Sequence, residues 1–196
     1  KLEKFEEASI LQNQIEKITS FRSYRMEPED YLLDHKSLDN LRKKELQELT
    51  ELLRFANISI NSLHTIEGYD IANISGKEAT ASLVRFQDAD PDKSGYRHFK
   101  IRACGPNDIA MLREALRRRL KHADWSFPDL FLIDGGFDQL HAVAEILNEY
   151  AVDIPVISLA KHPDHVCLPD GQKVALKHDS NALHLYFQSV SKQSFF

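Results

Sequence analysis

With 196 residues, 42% of them hydrophobic, and a formal net charge of -5, the chain is long enough to bury one good core and carry a small helical appendage. The negative balance excludes a protein that coats nucleic acid indiscriminately, because such binding is driven by Lys and Arg neutralising phosphates. Cys104 and Cys167 form no CxxC pair and no regular spacing, so neither a disulfide framework nor a thiolate zinc site is suggested.

The first segment, Lys1 to Lys17, is charged and amphipathic, unlike the apolar run of a signal peptide, and no window approaches a membrane span. The expectation is a cytoplasmic protein with no membrane partner. Phe5, Ala8, Ile10, Leu11, Ile15 and Ile18 recur at helical spacing with charges between them, which predicts a helix lacking a core of its own. Met26 to Leu38, with Pro28 and scattered acids, reads as a linker. Leu41, Leu46, Leu49, Leu52 and Leu53 predict a second amphipathic helix, and Asn57 to Asn61 break the pattern.

From Thr65 the texture changes to short apolar runs. Ile66 to Ile74, Thr80 to Phe86 and Tyr96 to Ile101, separated by turns holding Gly76, Asp90, Pro91 and Gly95, predict three strands in succession. Asn107 and Asp108 offer caps to a helix through Ile109, Leu112, Leu116 and Leu120. Leu130 to Ile133 is a compact apolar run ending in Asp134-Gly135-Gly136 and reads as a buried strand. A helix through Leu140, Val143, Ile146 and Leu147 follows, then a buried strand over Val156 to Leu159. A hairpin around Asp170-Gly171 and a final helix from Ala182 complete the order. Three strands, helix, strand, helix, strand, helix is an α/β arrangement with an antiparallel meander at its start, and it matches the ribonuclease H fold.

Asp70 stands inside a strand-like run, where aspartate is disfavoured unless something compensates its charge. Asp134 ends a buried strand ahead of two glycines that let the backbone turn close to a ligand. If their strands are neighbours, the two carboxylates converge, and their repulsion favours a divalent cation, Mg2+ or Mn2+, between them. Two such ions can drive in-line hydrolysis of a phosphodiester. The plainer alternative has Asp70 paired within the sheet and Asp134 capping the next helix. Between Lys93 and Lys121 basic residues far outnumber acids, and a basic strand and helix beside a carboxylate site could hold a phosphate backbone; a solvated helix face is the alternative for Arg117 to Lys121. Lys161 directly follows a buried strand and could enter the same cleft. His98, His162, His165 and His178 occur singly, which argues against a histidine metal site. Gly135-Gly136 fits neither GxGxxG nor the P-loop pattern.

Ile66-Glu-Gly-Tyr-Asp-Ile-Ala-Asn-Ile-Ser-Gly76 resembles the opening signature of the UvrC nuclease domain. Lys93-Ser-Gly-Tyr-Arg-His-Phe-Lys-Ile-Arg102, Gly105-Pro-Asn-Asp108, Pro128-Asp-Leu-Phe-Leu-Ile-Asp-Gly-Gly136 and Leu159-Ala-Lys161 are similar to further blocks of that family, in order. Phe5 to Ile15 resembles the UVR motif, through which UvrC engages the UvrB helicase subunit, with Phe5, Ala8, Leu11 and Ile15 as the contact face. The resemblance implies a UVR-like motif over 1–20, a helical linker over 21–62 and a ribonuclease-H-like nuclease domain over 63–196. It implies a fragment without the family's GIY-YIG nuclease and helix-hairpin-helix module. The implied activity is metal-dependent cutting of damaged double-stranded DNA on the 5' side of a lesion. Asp70 and Asp134 would be ligands, with Asp170 as the best match for a third aspartate and Asp164 as its competitor; Lys77, Arg97, Lys100, Arg102 and Lys161 would contact DNA.

Two departures stand out. The family's Arg-Asp-Glu-x-His block corresponds here to Ser189-Val-Ser-Lys-Gln-Ser-Phe-Phe196, without the acids or the histidine, and Leu185-Tyr-Phe-Gln-Ser189 resembles the remnant of a cleavable tag. The family's Gly-Gly-Lys-Gly is Gly-Gly-Phe137-Asp138. The missing terminal histidine motivates a second expectation, a scaffold that docks UvrB and DNA without cutting.

Overall fold

The computed structural model describes residues 35–60, 62–74, 78–102, 107–160 and 165–175. Phe5, Ala8, Leu11, Ile15, Lys77, Lys161, Asp164 and the helix expected from Ala182 lie outside them. The chain divides into two compact units, residues 1–39 and 40–196, and apart from the first residues of the first helix the features that follow belong to the second.

Helix α1 (His35–Phe55) starts inside the stretch that the sequence assigns to a linker. Its leucines recur at spacings of three and four, which places Leu49 and Leu53 on one buried stripe with Leu46 and Leu52 at its margins. Asn57 ends it in the left-handed region (φ 54°). Ile58 N–H donates to Leu53 O (2.9 Å) and Asn57 N–H to Arg54 O (3.0 Å), a Schellman closure that satisfies the last carbonyls.

Strands β1 (Thr65–Ile74) and β2 (Glu78–Gln87) form a long antiparallel hairpin. A short strand β3 (Asp90–Pro91), a 3-10 turn at Lys93–Gly95 and strand β4 (Arg97–Lys100) follow. Both β3 and β4 pair with β2, at different places along it. Helix α2 (Asp108–Leu120) opens on Asn107, whose side chain accepts from Ala110 N–H at 3.0 Å, the cap the sequence predicts. Strand β5 (Leu130–Asp134), helix α3 (Phe137–Glu149) and strand β6 (Val156–Ala160) complete the crossovers, and strands β7 (His165–Cys167) and β8 (Lys173–Ala175) add a hairpin at the edge.

The sheet order is β3-β2-β1-β5-β6-β7-β8, with β4 beside β2. β1, β5 and β6 are parallel neighbours, and the remaining pairings are antiparallel. This is the ribonuclease-H-like mixed sheet with flanking helices. Residues alternate between its faces. On one face Tyr69, Leu83, Phe131 and Ile133 pack under α2 and α3 with Met111, Leu116, Leu140 and Val143. On the other, Ile66, Val84, Phe86, Leu130 and Leu132 pack with Leu49 and Leu53 of α1. Among the described residues, no helix is long and apolar enough to cross a membrane.

Candidate active site

The two aspartates singled out by the sequence meet through the register of β1 and β5. Ile66 pairs with Leu130, Gly68 with Leu132 and Tyr69 with Ile133, so the next step of the ladder sets Asp70 opposite Asp134. Neighbouring strands lie about 4.8 Å apart and residues at one level project to one face. Both carboxylates therefore rise from the α1 face of the sheet, one step beyond the layer that Leu49 and Leu53 cover. Each is half-buried.

The backbone behind Asp134 is tied down. Gly135 has φ +152°, where a side chain is strained, and its N–H donates to Leu159 O at 3.0 Å. The Ser158 hydroxyl donates to Gly136 O at 3.2 Å, and Gly136 N–H donates to Gln139 Oε1 at 3.1 Å. Gly136, and not Asp134, is the N-cap of α3, which sets aside the capping alternative for Asp134. Phe137 turns into the core under α3, and the Lys173 ammonium lies 5.5 Å above its ring.

Two carboxylates at one level repel each other as anions and offer hard oxygen donors to a divalent cation. Mg2+ in particular is commonly held by one or two carboxylates together with water and substrate phosphate, so this donor set fits such an ion. Among the described residues no group of three or more His, Cys, Asp or Glu side chains is placed to hold a metal. Asp170 does not join the pair. β7 runs antiparallel to β6, away from the level of Asp134 and Leu159, and Asp170 sits in the turn after it, exposed, its Oδ1 accepting from Gln172 N–H at 2.9 Å. That places it two strands across and at the other end of the sheet, more than ~10 Å away. Asp164, in the connection from β6 to β7, lies outside the described residues.

The basic residues sort by face. Arg97 pairs with Leu83 and turns toward the α2 side, where its guanidinium lies 4.5 Å over the Trp125 ring and Nη1 donates to Ser94 O and Tyr96 O at 2.7 Å. That arrangement is structural, and it directs Arg97 away from the aspartates. Lys100, opposite Thr80, is exposed on the aspartate face. Arg102 is exposed, and its backbone N–H donates to the Glu114 carboxylate.

Helix α2 is on the opposite face from the pair, so its arginines are no wall of this site. Arg113 and Arg117 bridge to Glu145 and Glu149 of α3, and the hydrogen bond to Glu149 raises the Arg117 pKa. Arg119, far from being solvated, is fully buried and grips Glu67 at 2.8 to 3.2 Å. Tyr69 Oη donates to Glu67 at 3.1 Å, and burial, with Glu67 nearby, pushes the Tyr69 pKa well up. A cleft of about 290 Å3 beside this pair is lined by Glu67, Arg85, Arg97, Asp124, Trp125 and Ser126, a mixed set of charges with no link to the carboxylate pair.

One group at the site escaped the sequence. Ser82 stands opposite Asp70 and His98 opposite Ser82, and Ser82 Oγ lies 3.2 Å from His98 Nδ1. Only strand register brings them into line with the aspartates, and a lone His and Ser carry no such signal in sequence.

Comparison with known proteins places this geometry in a family context. Residues 55–193 match the model for the UvrC RNase H endonuclease domain. The chain is 43% identical to UvrABC system protein C of Dictyoglomus thermophilum over 145 residues, covering 71% of this chain and 24% of that protein. It is 42% identical to the corresponding protein of Methanococcoides burtonii over 149 residues, covering 72% and 24%, and so spans about a quarter of the relatives it matches. Among solved structures it is similar to a Ciona intestinalis endonuclease V in complex with DNA (TM-score 0.41, 13% identity, 82% of this chain and 69% of that chain). It is also similar to human endonuclease V (TM-score 0.34, 21% identity, 51% and 46%).

Proposed function

The chain belongs to the UvrC RNase H endonuclease domain family, and from that premise we propose that it is the metal-dependent nuclease portion of a nucleotide-excision-repair subunit. In this reading it cuts the damaged DNA strand on the 5' side of a lesion, together with a UvrB-like partner. The observation that carries it is the β1–β5 register, which continues to set Asp70 beside Asp134.

Asp70 and Asp134 would hold Mg2+ or Mn2+ through their carboxylate oxygens, with the remaining positions open to water and to the DNA phosphate. Such an ion, when bound, polarises the phosphoryl group and lowers the pKa of bound water. The chain's own part is placement. The β1 and β5 ladders fix both carboxylates at one level, and the Gly135-Gly136 turn, clamped by Leu159, Ser158 and Gln139, keeps Asp134 at the rim while leaving room for a backbone phosphate. Lys100 on the same face would neutralise a neighbouring phosphate without reading sequence. Arg102, Lys77 and Lys161 remain candidates for the same task, and Asp164 for a further carboxylate. Phe5, Ala8, Leu11 and Ile15 would form the face offered to the UvrB-like partner.

The test is incision of lesion-bearing duplex loaded with UvrB, in magnesium or manganese, by the chain and by its longer natural form. Asp70→Asn and Asp134→Asn should each remove 5' incision while the proteins stay folded. A single pair of carboxylates among the described residues also motivates a second reading, a scaffold that docks DNA and UvrB without cutting. Calorimetric titration with Mn2+ separates the two: binding lost on Asp134→Asn supports the nuclease, and no binding by the unaltered chain supports the scaffold.

A further inference from the structure

The row that holds the aspartates extends beyond them. Asp70 pairs with Ser82 across β1 and β2, and Ser82 pairs with His98 across β2 and β4. Residues directly opposite in an antiparallel ladder share a face, so His98, Ser82, Asp70 and Asp134 stand in line across four strands on one side of the sheet. His98 is two strand spacings from Asp70, about 10 Å.

The ring of His98 is anchored. Its Nδ1 lies 3.2 Å from the hydroxyl of Ser82, itself only 8% exposed, while His98 is exposed to solvent. One nitrogen thus fixes the ring and Nε2 is left facing outward. Lys100 is two residues further along the same strand and on the same face, exposed as well. The intervening Phe99 is buried toward α2, and Arg97 is turned to the Trp125 ring on that side. Of the four residues of β4, His98 and Lys100 therefore form the half that faces whatever lies over the aspartates.

A DNA strand advances about 3.4 Å per nucleotide, so 10 Å corresponds to roughly three nucleotides. We infer that His98 is a strand-holding residue: its Nε2 donates to a backbone phosphate about three nucleotides from the bond held at Asp70 and Asp134, with Lys100 beside it. This rests on the nuclease reading above for the path of the strand. The contact is to phosphate and adds no base preference.

Single-phosphate neutralisation tests it. A lesion duplex is prepared with one methylphosphonate at each position near the incision site, and binding is measured by anisotropy in calcium, without cutting. The unaltered chain should lose affinity when one phosphate about three nucleotides from the incision site is neutral. His98→Gln should bind the ordinary duplex about tenfold more weakly and become indifferent to that phosphate while staying sensitive to the others. His98→Arg should restore both properties, and His141→Gln, on α3, should change neither. A phosphate profile in His98→Gln like that of the unaltered chain overturns the inference, as does equal failure of the Gln and Arg variants when both are folded by circular dichroism. If that result comes with Asp134-dependent cutting, only this inference falls. If the unaltered chain binds no lesion DNA, the nuclease reading falls with it.

Discussion

Charge in a strand does not by itself mark a site, and β1 carries the contrast within four residues. Glu67 and Asp70 are both acids in an apolar run, yet Glu67 points to the α2 face, where Arg119 and Tyr69 satisfy it. Asp70 points to the α1 face, at the level of Asp134 on the neighbouring strand. Asp134 in turn depends on the residue that follows it. A Cβ on Gly135 would come within 2.9 Å of Gln139 Cγ and Cδ, in a backbone region that side chains rarely adopt. Gly135→Ala should lower stability by about 1–3 kcal/mol. Because Gln139 also holds the Gly136 N–H, the same change should displace the Asp134 turn and reduce incision more than the stability loss accounts for. Urea unfolding alongside incision rates checks this, and an unchanged rate in a destabilised but folded variant would show that the turn does not position Asp134.

At the scale of elements, the sequence makes the strands and helices legible and leaves their pairing illegible. Alternation and capping residues locate β1, β2, β4, β5, β6 and α2 to within a few residues. Asp90-Pro91 reads as a turn, because a two-residue bridge has no period, and α1 begins earlier than its leucine stripe requires. The meeting of Asp70 with Asp134 needs the connection from β4 to pass over β2 and β1, so that β5 lies against the far side of β1, which no local pattern encodes. The same holds in reverse for Asp170, which sequence order brings near the site and the antiparallel course of β7 carries away. The start of β1 is pinned separately. His64 and Thr65 N–H groups donate to Asp129 Oδ2 at 2.8 and 2.7 Å, and His64 Nδ1 lies 2.6 Å from Asp88 Oδ1. The hydrogen bond and charge of Asp88 raise the His64 pKa, and the hydrogen bond from His64 lowers that of Asp88. The His64 contribution to stability is then full below its ordinary value of 6.5 and fades as pH rises through the raised one. The Asp88 contribution is full above its ordinary value of 3.8 and fades as pH falls through the lowered one. Both groups are exposed, so the effect is small. The difference in urea midpoint between the chain and His64→Ala should be largest between those two limits. A difference that stays flat with pH would show that the pair contributes nothing.

The whole molecule divides its work between the two faces of one sheet. The α2–α3 face holds the larger core and the buried Glu67–Arg119 pair, and Arg113, Arg117 and Arg119 of α2 are each engaged with the protein's own acids. That arrangement reconciles a net charge of -5 with the proposed DNA-cutting role: the basic stretch read from sequence largely holds α2 to α3 and to the sheet, and the proposed DNA contacts fall to a few exposed groups on the other side. On that other side α1 packs against the layer around Ile66, Leu130 and Leu132, and the aspartates are half-buried at the end of β1 and β5 beyond it. Stability and metal binding should therefore separate on this one face. Leu53, fully buried against that layer, should cost about 2–5 kcal/mol when changed to alanine, read as a lower urea midpoint with the slope retained. Below that midpoint the folded variant should bind Mn2+ with the affinity of the unaltered chain, because Leu53 belongs to the apolar core of that face and offers no ligand atom. Asp134→Asn should show the opposite pattern, metal binding lost with the midpoint little changed or raised as the repulsion with Asp70 is relieved. Loss of metal affinity in Leu53→Ala at full folding would mean that α1 positions the site as well as covering the core.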